Sequence, residues 1–159
     1  MQAFNAYVGD YAVSTSGFKT ALQIRAAANK PVKVRQVNVS FDGTSSTAQP
    51  VKVEVIRSTA DGTASPITSQ GNPGTSLSST SGLNKLDAGA EVPQTTALHT
   101  FTAEPGTLKA KVWGTFLHPQ GAVTYSFPLD CVVAAGDAIC VRMLAAAAVN
   151  AHVNIIGEE

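Results

Sequence analysis

Between Val51 and Arg57 the chain places valine at every second position, with Lys52 and Glu54 in between. A period of two puts the valines on one face of a pleated strand and the charges on the other, the pattern of a half-buried antiparallel strand. Val32 to Phe41 alternates as well, but its apolar set changes parity between Val34 and Val37. A bulge, or a strand crossing from one sheet to another, accounts for such a switch. The Ser/Thr-rich stretch from Phe41 to Pro50 is expected to fold these two runs back on each other as a central hairpin.

Other segments follow the same logic. Lys19 to Ala28 sets Leu22, Ile24 and Ala26 against Ala21, Gln23 and Arg25, and Asn29-Lys30-Pro31 is expected to turn it into the central hairpin. In Leu108 to Leu117, Val112-Trp113 and Phe116-Leu117 place large apolar groups on both faces. A strand of a two-layer sandwich needs one apolar face, so the second calls for a loop or another chain as cover. His118 to Gly121 reads as a turn, and Val123, Tyr125, Phe127 and Leu129 then alternate in a run that Pro128 ends. Ala134-Ala135-Gly136-Asp137 joins Cys131–Val133 to Ala138–Leu144, and Val149 to Ile156 forms the last strand. The alanines at 145–148 are too few to nucleate a helix, so a tight turn or a single helical turn is expected there.

Two regions read differently. Met1 to Gly17 carries Phe4, Tyr7, Val8 and Tyr11 among small polar residues, and reads as a strand or an N-terminal arm preceding a sandwich domain at 18–159. From Ser58 to Gly106 apolar residues thin out and Ser, Thr, Gly and Pro accumulate, which predicts a long loop excursion with a short strand at Thr96–Phe101. Two readings of it stand open: a surface loop, or an extension across a neighbouring subunit. Seven to nine short strands separated by turns make the expected fold all-β, an antiparallel β-sandwich or jelly roll.

Composition narrows the function. The 159 residues suffice for one domain with its own core, and eleven basic residues cancel eleven acidic ones in a chain only 14% charged. Such a surface offers no cluster of cations for nucleic acid or for an anionic membrane. With neither a cationic leader nor a stretch of spanning length, the expected place of synthesis is a cytoplasm.

Candidate chemistry is sparse. Cys131 and Cys140 flank one predicted hairpin; a two-residue turn would set them opposite each other, whereas a three-residue loop with left-handed Gly136 makes them miss. The second is adopted, because its third position wants glycine, and a reducing compartment agrees with unbridged thiols. Four zinc ligands do not cluster, so no metal is expected. His99, His118 and His152 lie far apart, and there is no nucleophile elbow, phosphate loop or His-Glu-x-x-His, so no catalytic residue is assigned and no cofactor expected. Asp42 and Asp137 sit beside turn glycines and are read as caps of their own turns.

Val-Ser-Phe-Asp-Gly-Thr-Ser (39–45), Val-Lys-Val-Glu-Val-Ile-Arg (51–57), Leu-His-Pro-Gln-Gly (117–121), Tyr-Ser-Phe-Pro-Leu (125–129), Ala-Ala-Gly-Asp (134–137) and Glu158-Glu159 together resemble small all-β proteins encoded with the virion genes of tailed bacteriophages. More loosely, the chain is similar to jelly-roll head-decoration (cement) proteins, which sit as trimers on capsids. The resemblance covers most of the chain from Val32 onward and supplies no catalytic residue. It implies a structural protein of the virion surface, with the major capsid protein and its own copies as partners. A homotrimer interface is then expected at Val112, Trp113, Phe116, Leu117, Tyr125 and Phe127, and capsid attachment through Phe4, Tyr7 and Tyr11. Two alternatives are a carbohydrate- or receptor-binding fibre domain with Trp113, Tyr125, Tyr7 and Tyr11 as sugar platforms, or another virion part such as a tail or neck protein.

Overall fold

The computed structural model describes residues 2–43, 49–67, 69–70, 81–86 and 95–159. Twelve strands are present among them: β1 (Ala3–Ala12), β2 (Lys19–Arg25), β3 (Val32–Phe41), β4 (Val51–Ser58), β5 (Thr63–Ile67), β6 (Ser69–Gln70), β7 (Ser81–Lys85), β8 (Thr96–Ala103), β9 (Leu108–Leu117), β10 (Ala122–Val133), β11 (Ala138–Leu144) and β12 (Asn150–Glu158). They form two six-stranded sheets, β10-β3-β12-β1-β7-β6 and β5-β8-β2-β11-β4-β9. Every pairing is antiparallel except that of β6 with β7.

The pairings are nested. β1 pairs with β12, β2 with β11, β3 with β10 and β4 with β9, as in one long hairpin whose tip lies between β4 and β9. Rolled up so that β12 also meets β3 and β11 also meets β4, this hairpin gives the eight-stranded jelly roll. The excursion from Ser58 to Gly106 is inserted at the tip. It is more than a loop, because β7 extends the first sheet beside β1 while β8 and β5 extend the second beside β2. The strand expected at Thr96–Phe101 is β8.

The inward faces supply the core. Val32, Val34, Val37 and Val39 of β3 meet Val51, Val53 and Val55 of β4 across the sandwich, joined by Ile139, Val141, Val153 and Ile155. The parity switch in β3 is a bulge: on both sides the register steps from Gln36 to Val34 and skips Arg35, whose guanidinium is freed to pair with Glu158. The tight turn expected near the alanines at 145–148 is also found, without a helix.

Strand partners correct the sequence reading. β3 and β4 do not form a central hairpin, nor do β2 and β3, because each successive strand up to β4 crosses to the other sheet. β10 and β11 part in the same way, so Cys131 and Cys140 lie in different sheets as free thiols. The turn between them does take the expected shape: Asp137 N donates to Ala134 O at 2.9 Å and Gly136 has φ of 78°, the left-handed geometry glycine allows. The Asp137 carboxylate reaches out of its own turn, and the turn after Asp42 lies in part outside the described residues. The Asp42 carboxylate accepts from the backbone and side-chain nitrogens of Asn150 at 2.8 and 3.0 Å, and Asp137 pairs with Lys109 at 3.1 Å.

Of the two readings of Met1 to Gly17, a strand or an arm, Ala3–Ala12 forms the strand and not a free arm. β1 lies inside the first sheet between β12 and β7, and its Phe4, Ala6 and Val8 are core residues.

Candidate functional site

Two places stand out from the scaffold. The first is the edge formed by β9 and β10. Trp113, Thr115 and Leu117 oppose Val55, Val53 and Val51, while Tyr125 and Val123 oppose Val37 and Val39, so these side chains point between the sheets. The Trp113 ring stacks on Tyr125 at 4.6 Å with an 18° interplanar angle, and Phe127 meets Tyr125 edge-on at 5.0 Å. An aromatic seam thus closes the sandwich where each sheet ends. On the outer face Glu54 of β4 is held by Lys111 of β9 and Arg142 of β11, both at 2.8 Å. Burial pushes the Glu54 carboxyl up, but the hydrogen bonds and charges of these two cations outweigh it and hold it below its ordinary value.

Outside the seam the edge carries large apolar side chains among polar ones such as Lys109, Lys111, Thr124 and Ser126. Among the described residues the exposed large hydrophobics are Leu108 and Phe116 on β9, Leu129 and Val132 on β10, and Leu86 elsewhere. Phe116 is 66% exposed and Leu129 83%. Leu129 stands on an irregularity: the register with β3 jumps from Ser126 to Cys131, so Phe127-Pro128-Leu129-Asp130 leaves the ladder. Proline cannot donate to a ladder, and within a strand it marks an edge or a bulge.

Of the six expected interface residues, the fold gathers Trp113, Tyr125 and Phe127 into the seam and packs Val112 and Leu117 against the core beside it. Phe116 lies on the opposite face, with the Lys52 ammonium 5.9 Å from its ring centre. The three residues expected to bind a capsid are not brought together. Phe4 is 0% exposed and packs by Gly157, so no partner surface can reach it. Tyr7 stacks on His152 at 6.2 Å on the outer face of the first sheet, and Tyr11 lines a cavity. Leu129 and Val132 were not assigned as site residues from the sequence, although Pro128 inside an alternating run was the available signal.

That cavity is the second place. It measures about 420 Å³ and lies among β1, the start of β2, and β8. On β1 the register with β12 steps from Val8 to Tyr11, leaving Gly9 and Asp10 as a bulge with Asp10 at φ 52°. On β8, Thr100 has φ of 53°. These are the two non-glycine residues with positive φ among those described, and both line this cavity. Left-handed backbone is uncommon for Asp and a genuine outlier for a β-branched residue; such strain concentrates at functional positions. Lys19, His99 and Phe101 complete the lining used below. His99 Nδ1 lies 2.8 Å from Thr100 Oγ1, and burial pushes the imidazole pKa down, which keeps it neutral near pH 7. A smaller depression of about 120 Å³ adjoins Asp10 on its other side, lined in part by Ser40, Asp42, Asn150 and His152. Among the described residues no three His, Cys, Asp or Glu side chains are grouped to hold a metal ion.

Two expected results follow from this geometry. Burial and the Glu104 carboxylate push the Tyr11 phenol up to about 12. A folded-state pKa above the unfolded value of 10.0 contributes stability below pH 10.0 that is lost as pH rises toward about 12. Absorbance titration at the phenolate band is expected to show a late step near pH 12, and Tyr11→Phe to remove it. Thr100→Gly is expected to raise stability by about 1 kcal/mol, since glycine adopts φ near 53° without the side-chain clash. A urea midpoint equal to or below that of the parent would contradict this.

Comparison with protein-family models, with curated proteins and with solved structures finds no match to this chain.

Proposed function

We propose that this protein is a non-enzymatic structural jelly roll that self-associates through its β9–β10 edge, as a homotrimer, and decorates the outside of a bacteriophage head. The observation that carries the reading is that four of the five large exposed apolar side chains among the described residues, Leu108, Phe116, Leu129 and Val132, stand on β9 and β10. An excess of large exposed apolar side chains on two neighbouring terminal strands points to an interaction site. The bulge at 127–130 and Pro128 keep another strand from simply adding to β10, so the contact is made by side-chain packing.

The capsid as partner comes from the sequence resemblance, and the physics of decoration fits it. A protein attached in many copies needs only modest affinity per copy, because linkage within an oligomer multiplies the effect. The low charge suits an interaction won by area and shape.

The test combines light scattering with co-sedimentation. Wild type is expected to be a trimer in solution and to pellet with undecorated phage heads. The Phe116→Ser/Leu129→Ser double variant is expected to be monomeric with an unchanged melting temperature, and to stay in the supernatant. A wild-type monomer at high concentration that fails to pellet would end the proposal, and imaging of virions would tell a head position from a tail or neck one.

A further inference from the structure

The cavity at Asp10 lies among β1, β2 and β8, whereas β9 and β10 terminate the two sheets, so the assembly reading makes no use of it. Its size falls within the roughly 300–1,000 Å³ range of small-molecule sites, at about 420 Å³. We propose that it is a binding site for a neutral saccharide, with the adjoining depression beyond Asp10 as a second, smaller subsite. This inference does not rest on the decoration reading.

The lining chooses the ligand class. The lining itself carries one carboxylate, Asp10, and one ammonium, Lys19, and the Glu104 carboxylate lies close enough to act on Tyr11 while held by Thr20, so a strong anion is not favoured. His99, Thr100 and Tyr11 add polar groups that both donate and accept, at the margins of an apolar surface made by Val8, Phe101 and the Tyr11 ring. A pyranose has the matching form: an apolar ring face beneath hydroxyls that each donate and accept. Aromatic rings give such a face large contact at low rotamer cost. The subsite past Asp10 is polar too, lined by Ser40, Asn150 and His152, with the Asp42 carboxylate already accepting hydrogen bonds from Asn150. Asp10 therefore stands between the two depressions and lines both.

Strain supports the assignment. Asp10 and Thr100 hold left-handed backbone at register irregularities of β1 and β8, and both line the one cavity. Holding polar side chains in a fixed, costly geometry is what pre-organisation of a site looks like.

The experiment is a titration of the isotopically labelled full chain with methyl glycosides of glucose, galactose, mannose and N-acetylglucosamine, followed by amide shifts, with inorganic phosphate and acetate as charged comparisons. At least one glycoside is expected to give saturable shifts at Asp10, Tyr11, Lys19, His99 and Thr100, with Kd on the order of 1 mM. Asp10→Asn, which tolerates the left-handed backbone and removes the charge, is expected to weaken binding at least tenfold. Lys19→Met should weaken it too, providing a second reading should the first variant lose its fold. Phe116→Ser/Leu129→Ser should leave sugar binding intact while abolishing capsid pelleting, which separates this inference from the assembly reading. The site is overturned by an absence of glycoside shifts at these residues, by shifts that map elsewhere, by shifts with phosphate or acetate alone, or by variants that bind like the parent.

Discussion

A chain lacking residues 2–12 is expected to be unfolded, not a trimmed version of the same domain. They include all of β1, which pairs on one side with β12 from Ala3↔Glu158 to Ala12↔Asn150 and on the other with β7 from Phe4↔Lys85 to Val8↔Ser81. Removing an internal strand strips backbone partners from both neighbours, and each unpaired group left away from water costs about 1–3 kcal/mol. It also opens the core where Phe4, Ala6 and Val8 are buried. Phe4 alone has large weight: its ring packs so closely that a Cβ added at Gly157 would lie 2.8 Å from Phe4 Cζ and 2.8 Å from Lys33 O. Phe4→Ala should cost about 3–5 kcal/mol, most of the stability of a small domain that totals roughly 5–15 kcal/mol. Circular dichroism and thermal melting provide the check. A truncated chain with a cooperative melt within a few degrees of the parent would show that β1 is dispensable.

β1 lies where sequence pattern and strand pairing part. Strand positions were legible because alternation is local: Val51 to Arg57 and Val149 to Ile156 carry their own period, and so does the bulge that moves Val37 out of phase with Val34. Strand partners were not legible. A jelly roll sends successive strands to opposite sheets, yet a turn such as Asn29-Lys30-Pro31 looks the same whether it closes a hairpin or bridges two sheets. β1 was only half legible, as a strand or an arm, for a different reason. Its inward set, Phe4-Ala6-Val8, has a small residue in the middle, and the bulge at Gly9-Asp10 shifts Tyr11 out of register, so the spacing mimics a helical stripe. The seam was partly readable, since Val112-Trp113 and Phe116-Leu117 put bulk on both faces of one strand. The cavity was not readable at all. Thr100 in left-handed backbone has no compositional sign, because threonine is among the residues least suited to that conformation.

Trp113→Ala should produce the largest single effect at the β9–β10 edge, and should do so in two separable ways. The ring is half-buried, stacked 4.6 Å from Tyr125, and packed against the core cluster. Its removal loses apolar burial, the stack itself, and the wedge that keeps Tyr125 and Phe127 placed at the margin of both sheets. The cost should be about 3 kcal/mol, the low end of the range for truncating a large aromatic, because one side of the ring still meets solvent. Trp113→Phe keeps a stacking partner and should cost less than about 1.5 kcal/mol. Trp113 is the sole tryptophan, so urea unfolding has to be followed by circular dichroism, with a lowered midpoint at unchanged slope as the signature of lost stability. Association should weaken as well, since Phe116 and Leu129 are presented by the two strands that the seam joins. Comparison with Leu129→Ser then divides the two roles. That side chain is 83% exposed, so its loss should leave the monomer within about 0.5 kcal/mol of the parent while weakening association. A Trp113→Ala protein equally stable and equally associated would mean that the aromatic seam neither holds the sandwich shut nor supports its edge.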